Sequence, residues 1–428
     1  MSRAPVTLRS AALASGAFAL VVGSVTLLAH FRGVSRAHAS LGDEDPAAMK
    51  VVPAKTTPPI APPFAGLDLS RLTTSETEAT VVLANKRVAH LTLDVALQKV
   101  AVATLRQHKL FEGVIVMMDP DTGAILAYAS HSGRTRDLAV EAVAPSASVF
   151  KLVTAAALVE KGATAQTREC FARSAEQRVL ASDLEVDPLR DKWCMSLATA
   201  MGKSENAVFA RLAHEKLDHA SLETAARSLG WGEPLAFDVP VQPSKLEVPD
   251  DALGFARTAA GFWNTTLSPL HAAVLSATIA RGGDVVRPHI VARVTSETGR
   301  VEYEAPREPE SRTRAISDVA AQALTTMMEH TVSEGTSYRA FHDAHRVPFV
   351  AAPVAGKTGT LSDADNLYTW FTGFAPSHAK PGERRVAIAV LVVNKPRWHV
   401  KANVVAREML HEFFRATPSS PAVAALTP

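Results

Sequence analysis

A chain of 428 residues has room for two domains, or for one large domain with extensions. Forty-five Lys and Arg against 43 Asp and Glu leave a formal charge of +2, so the chain lacks the basic footprint of a nucleic-acid binder. Aromatics make up only 6%, which also leaves little surface for stacking bases, while 47% hydrophobic and 21% charged residues are ordinary globular composition.

The N-terminus carries Arg3 and Arg9, and Ser10–Ala29 follows without a charge. At helical rise this run spans about 30 Å, the thickness of a hydrocarbon core. The expectation for 1–39 is a membrane anchor with its flanks. A cleaved signal peptide is the alternative, because Ala37-His38-Ala39 has the small-x-small form of a cleavage site. The apolar run is longer than a usual signal core and stands apart from that site, which favours the anchor. Either reading exports the remainder. The segment 40–66 holds Pro46, Pro53, Pro58, Pro59, Pro62 and Pro63, and so reads as an extended, semi-rigid linker.

Beyond it, Thr80–Leu83 and Val88–Leu93 read as short strands around Asn85-Lys86. Asp94 is placed to cap a helix over Val95–His108. Gly113–Met118 and Ala124–Ala129 flank Asp119-Pro120-Asp121-Thr122-Gly123, a hairpin signal. Phe150–Lys161 is a strongly apolar helix, and helical patterns recur over Met195–Leu229 and Pro269–Ala280. Val354–Thr360, Tyr368–Phe374 and Val386–Val393 read as strands, and Val404–Phe414 as an amphipathic helix. Residues 416–428 read as a tail. The pattern predicts an α+β fold: an antiparallel sheet flanked by helices, with an all-helical subdomain between its parts.

The only cysteines are Cys170 and Cys194. In an exported chain they can be bridged, and the polar, irregular loop between them favours that over two buried thiols. Their spacing does not suit a metal site and no His or Cys cluster accompanies them, so neither a metal nor a cofactor is expected.

Three short motifs occur in order: Ser148-Val149-Phe150-Lys151, Ser204-Glu205-Asn206 and Lys357-Thr358-Gly359-Thr360. Singly, each is weak. In context, Ser148 precedes an apolar helix, and Lys151 lies three residues on, near the same face. The plainer alternative makes Ser148 a helix cap and Lys151 a solvated side chain. Against it, Phe150–Leu158 is almost wholly apolar, and such a helix is buried on most faces.

With these motifs the chain resembles the penicillin-binding transpeptidases and their serine β-lactamase relatives. The resemblance extends to Leu91-Thr92-Leu93-Asp94 with Leu97-Gln98, to Asp119–Ala129, and to Ser268-Pro269-Leu270-His271 followed by Ala280 and Gly282-Gly283. It continues through Gly335-Thr336, Ala355–Thr360 and Trp370-Phe371-Thr372-Gly373-Phe374, covering roughly Val88 to Phe414. It implies a catalytic domain over 67–415 with a short N-terminal extension, in which Ser148 is the nucleophile and Lys151 its base. Burial and a second cation, Lys357, would lower the Lys151 pKa. Ser204 would relay a proton to the leaving amine, and Asn206 would bond a side chain or the substrate amide. The N–H groups of Ser148 and Thr360 would form the oxyanion hole. Lys357, Thr358, Gly359 and Thr360 would bind substrate, with Gly359 allowing close approach. Implied partners are peptidoglycan stem peptides ending in D-Ala-D-Ala, β-lactams, the membrane through the N-terminal helix, and a cell-wall synthesis complex. The implied location is the bacterial cytoplasmic membrane, single-pass, with the catalytic domain extracytoplasmic.

Two departures stand out. Pro145-Ser146-Ala147 leads to the nucleophile where the family often has Pro-Gly, and Glu205 occupies a position where it often has Cys. A β-lactamase is the nearest rival, but no Glu-x-x-x-Asn segment precedes Lys357 and no Tyr-Gly-Asn occurs. A non-catalytic sensor or scaffold, and a hydrolase with a histidine base, are the others. No motif residue is missing, and none of the 15 histidines sits in a recognisable triad setting.

Overall fold

The computed structural model describes residues 64–133, 136–173, 178–306, 313–395 and 399–415. The expected anchor, all but the last three residues of the expected linker, and the tail lie outside the described residues. Among the described residues no helix is long and apolar enough to cross a membrane. Packing begins at Phe64, within the segment expected as linker: it is buried, and its ring meets Tyr303 edge-on at 4.9 Å.

The chain enters through β1 (Thr73–Thr74), β2 (Ala79–Val82) and β3 (Val88–Leu91), with left-handed Asn85 and Lys86 turning the chain between the last two. Asp94 accepts from Leu97 N and so starts α1 (Val95–Gln107). The hairpin β4 (Glu112–Met118) and β5 (Ile125–Ser132) follows, then β6 (Ala144–Pro145), a 3₁₀ turn at Ala147–Val149 and α2 (Lys151–Glu160). Next come the pair β7 (Arg168–Phe171) and β8 (Trp193–Ser196), α3 (Leu197–Lys203), α4 (Asn206–Lys216), α5 (His219–Ser228) and α6 (Ala252–Ala259). β9 (Thr266–Leu267) pairs with β6 and leads into α7 (Pro269–Ala280), capped by Ser268. β10 (Asp284–Val285), β11 (Val291–Thr295), β12 (Val301–Glu304) and β13 (Thr313–Arg314) precede α8 (Asp318–Ser333) and the short α9 (Tyr338–Phe341). The chain closes with β14 (Ala355–Ser362), β15 (Leu367–Ala375), β16 (Val386–Asn394) and α10 (Ala402–Arg415).

The main sheet is antiparallel, in the order β14-β15-β16-β4-β5, and β14 is an edge. Its two faces separate cleanly. Cross-strand partners share a face. Thr358 pairs with Phe371 and Thr360 with Thr369; Phe371 packs with α1 and α10, and Thr369 Oγ1 accepts from Ala402 N at 3.1 Å. Lys357 pairs with Thr372 and Gly359 with Trp370, on the face where Thr372 Oγ1 donates to Ala272 O of α7. A second sheet, β1-β2-β3-β11-β12, flanks the first, and β11 was not anticipated. Nor was α8, although Ser317 caps it and Ala320, Leu324, Met327 and Met328 are buried at helical spacing.

Between β5 and β14 the chain builds the helical region. Cys170 and Cys194 are cross-strand partners on β7 and β8 and are joined, S–S 1.97 Å. Arg211 of α4 is fully buried behind them. It donates to Asp191 Oδ2 at 2.7 Å, to Asp183 O at 2.7 Å and to Cys170 O at 2.5 Å. That hydrogen bond holds the Asp191 carboxyl below the usual carboxylate range. One guanidinium thus ties the excursion around the disulfide to the helix that begins at Asn206. Arg211→Ala leaves Asp191 buried without its partner, and the expected loss is about 3–5 kcal/mol of unfolding free energy in a denaturant titration. A loss under about 1 kcal/mol would show that the network does not hold the region together.

Candidate active site

The approach to Ser148 is held from three sides. Trp370 Nε1 donates to Pro145 O at 2.8 Å, Ser146 N donates to Thr265 O at 3.2 Å, and the Ser146 and Thr265 hydroxyls bond each other. Ala147 is left-handed at φ 48°, an unfavourable state for a residue with a Cβ, and its neighbours hold it there. Gly261, at φ +83°, lies against this turn: a Cβ on it would fall 2.5 Å from Ala147 O and 2.9 Å from Ser148 Cα. Ser148 therefore sits on a fixed 3₁₀ turn that feeds α2.

Lys151 is the first residue of α2 and has no exposed surface. Its Nζ lies 2.9 Å from Ser148 Oγ, 2.6 Å from Asn206 Oδ1 and 2.5 Å from Ala260 O. Two of these three neighbours are carbonyl oxygens and can only accept. A neutral amine fits: it donates two N–H bonds to the carbonyls and turns its lone pair to the serine hydroxyl. Burial pushes the Lys151 pKa down to about 7, with the Glu205 carboxylate pulling the other way. Burial, then repulsion from Lys151, holds Lys357 well below the usual lysine value. Both expected causes are present: burial lowers Lys151 first, and the repulsion between the two amines is shared by the pair.

Ser204 is left-handed at φ 59° and ψ 37°, between α3 and α4. Thr336 N fastens the end of α3 by donating to Gly202 O at 3.0 Å. Glu205 caps α4 through Ala207 N, and this places Asn206 at the start of α4. Lys357, also fully buried, donates from Nζ to Ser204 Oγ at 2.9 Å and to Thr358 O at 2.7 Å. The two lysines thus stand behind the two serines, one each.

In front is a cleft of about 600 Å³, lined among others by Ser148, Ser204, Asn206, Thr358, Gly359 and Thr360. The three motifs, far apart in sequence, converge on it. Gly359 lets β14 pack closely against the turn before Ser148, since a Cβ there would meet Ser146 O and Trp370 at 3.2 Å. The Thr358 and Thr336 hydroxyls bond at 2.6 Å. Trp370, 1% exposed, forms part of the cleft lining. Sequence reasoning did not find Ala260, whose contribution is a backbone carbonyl, nor Lys401 and Asn403, which reach the lining only through the packing of α10. His271 is buried between Ser244 Oγ and Leu229 O, and burial lowers its pKa to about 4, so it is a packing residue. His330 pairs with Glu334 on the surface of α8. Among the described residues no group of three or more metal-ligating side chains is assembled.

The profile of the penicillin binding protein transpeptidase domain matches residues 113–411, most of the chain. The chain belongs to that family. It is similar to the peptidoglycan D,D-transpeptidase PbpA of Mycobacterium tuberculosis (strain ATCC 25618 / H37Rv), 27% identical over 333 residues, covering 66% of this chain and 62% of the relative. PbpA of Mycolicibacterium smegmatis is 28% identical over 323 residues, covering 65% and 61%. The chain thus spans about three-fifths of the length of these curated relatives. Among solved structures, PBPA from M. tuberculosis superposes with a TM-score of 0.62 at 22% identity, covering 75% of this chain and 81% of the other. The D,D-transpeptidase domain of a peptidoglycan glycosyltransferase from Eggerthella lenta also gives 0.62 at 22% identity, covering 76% and 82%. Penicillin-binding protein A of M. tuberculosis has also been solved as its penicillin G acyl-enzyme complex, with a TM-score of 0.60 at 22% identity, covering 75% and 78%. The α+β transpeptidase fold is the one expected from the sequence.

The motif resemblance assigns Lys151 as the base of serine acylation, and a base must be neutral to take the serine proton. Its pKa of about 7 then sets the pH dependence: the rate of acylation by penicillin should rise with pH up to about 7 and level above it. Lys151→Ala should lower the plateau by roughly 10²–10⁴-fold, and Lys151→Arg should not restore it, because a guanidinium stays protonated. A flat profile between pH 5 and pH 9, measured by stopped-flow on folded protein, would remove Lys151 as the base.

Proposed function

We propose that this chain is an acyl-serine D,D-transpeptidase acting on peptidoglycan stem peptides that end in D-Ala-D-Ala. The observation that carries the proposal is the Lys151 amine, buried, pushed toward neutrality, and within hydrogen-bond reach of Ser148 Oγ. Ser148 Oγ attacks the penultimate carbonyl carbon as its proton passes to Lys151. The N–H groups of Ser148 and Thr360 stabilise the oxyanion. The C–N bond to the terminal D-Ala then breaks, and its nitrogen takes a proton through Ser204, which Lys357 holds in place. An acyl ester remains on Ser148. An acceptor amine attacks that ester, loses a proton to the same lysine–serine system, and releases Ser148 with a new amide bond. Because β14 is an edge strand, a peptide can lie along it and add main-chain hydrogen bonds, with Thr358 and Thr360 near its terminal carboxylate.

β-Lactams present a strained amide to the same serine, and the acyl-enzyme crystallised for the mycobacterial relative supports that reading. Among the described residues no Asp or Glu lines the cleft, and Glu205 is engaged as the cap of α4. Deacylation by water needs a base on the water, so the adduct should persist, which separates this reading from a β-lactamase. The domain assignment is part of the same proposal: residues 1–39 anchor the chain, 40–66 space it from the bilayer, and 67–415 form the catalytic unit on the outer side of the bacterial cytoplasmic membrane. A cell-wall synthesis complex is the setting this implies.

Intact-mass spectrometry after mixing with excess penicillin should show a one-to-one adduct that lasts for minutes, located on Ser148 by peptide mapping and absent in Ser148→Ala. Rapid multiple turnover of the β-lactam would make the chain a β-lactamase. Incubation with a D-Ala-D-Ala stem peptide and an amine acceptor should give the transferred product; release of D-Ala with hydrolysis alone would make it a carboxypeptidase.

A further inference from the structure

The terminal carboxylate of such a peptide needs a positive counterpart at its end of the cleft. Lys357 is poorly placed to supply it. Its Nζ donates to Ser204 Oγ and to Thr358 O, it is fully buried, and it lies on the Trp370–Thr372 face of the sheet. The Thr358 and Thr360 side chains lie on the opposite face, the one covered by α10.

On that face stands Lys401. It immediately precedes α10, is exposed, and lines the cleft together with Thr358 and Thr360. Its position is fixed from the next residue on: Ala402 N donates to Thr369 Oγ1 at 3.1 Å, and Thr369 is the cross-strand partner of Thr360. Asn403, 4% exposed, holds the other side by donating from Nδ2 to Ser337 Oγ at 3.1 Å, beside Thr336, whose hydroxyl bonds Thr358. The start of α10 is therefore tied both to the strand behind Thr360 and to the loop beside Thr358. Lys203, another lysine on the cleft wall, ends α3 and so belongs to the helical side of the cleft rather than to the α10 side.

We propose that Lys401 is the cation that recognises the free C-terminal carboxylate of the donor, with the Thr358 and Thr360 hydroxyls as its hydrogen-bonding partners in that task. The proposal rests on the reading of the cleft as a stem-peptide site. It assigns to Lys401 a specificity role: the chain selects substrates with a free terminal carboxylate over those in which it is esterified or amidated.

The test compares acylation by penicillin G and by its methyl ester, in which the carboxylate is uncharged. Wild-type protein should be acylated about tenfold or more faster by the acid, the scale of one charge-assisted hydrogen bond. The acid-to-ester ratio should fall toward one in Lys401→Ala, fall further in Lys401→Glu, and return in Lys401→Arg. A merely structural role would lower both rates together and leave the ratio unchanged. An unchanged ratio in Lys401→Ala and Lys401→Glu, with melting temperatures matching wild type, overturns the proposal. If wild-type protein is labelled by penicillin but transfers no stem peptide, the transpeptidase reading fails while the ratio still decides the role of Lys401. Labelling by neither form overturns both.

Discussion

Two lysine amines buried side by side are the constraint around which the rest of the site is arranged. Taking an ammonium out of water costs several kcal/mol unless acceptors surround it or it gives up its proton. Here both responses are present. Lys151 is met by Asn206 Oδ1 and Ala260 O, Lys357 by Ser204 Oγ and Thr358 O, and both amines are pushed toward neutrality. In the proposed mechanism, the cost of burial is what would make Lys151 a usable base near neutral pH. An exposed lysine in the same geometry would stay protonated.

Such a site tolerates little movement, because each lysine belongs to one element and its acceptors to others. The structure fastens those elements by contacts away from the reacting atoms. Trp370 ties the sheet to Pro145, Gly261 lets α6 close on the Ser148 turn, Thr336 holds the end of α3, and Arg211 fixes α4 against the disulfide excursion. None of these groups carries chemistry. Each sets the distance at which chemistry occurs, and positioning of this kind accounts for a large share of what an active site supplies.

The cleft keeps its functions on separate faces of one edge strand. The buried face of β14 carries Lys357 and Gly359, toward the two serines. The other carries Thr358 and Thr360, toward α10. Because side chains alternate along a strand, the two proposed roles, proton handling and carboxylate recognition, fall on opposite sides of a run of four residues. The absence of a carboxylate from the described lining bears on the fate of the ester, since no Asp or Glu there can take a proton from an attacking water.

The sequence by itself determined the motif residues, their order, and the helices and strands that bear them. Ser-x-x-Lys before an apolar run implied a buried lysine, and Val354–Thr360 read as a strand, because both signals lie in short local stretches. The bounds of α1, α2, β4, β14 and β16 follow that pattern closely. The apolar spacing of α8 was present too, but without a motif to draw attention, while β11 is short and irregular, its buried Val291 and Val294 lying three apart. Tertiary structure alone decided which acceptors surround Lys151, where Lys357 points, and which side of β14 meets α10. Those facts depend on atoms contributed by residues distant in sequence: a backbone carbonyl at Ala260, a hydroxyl at Ser204, a helix start at Ala402. A carbonyl oxygen has no signature in the sequence, since every residue carries one, and only the packing of the chain selects the one that faces an amine.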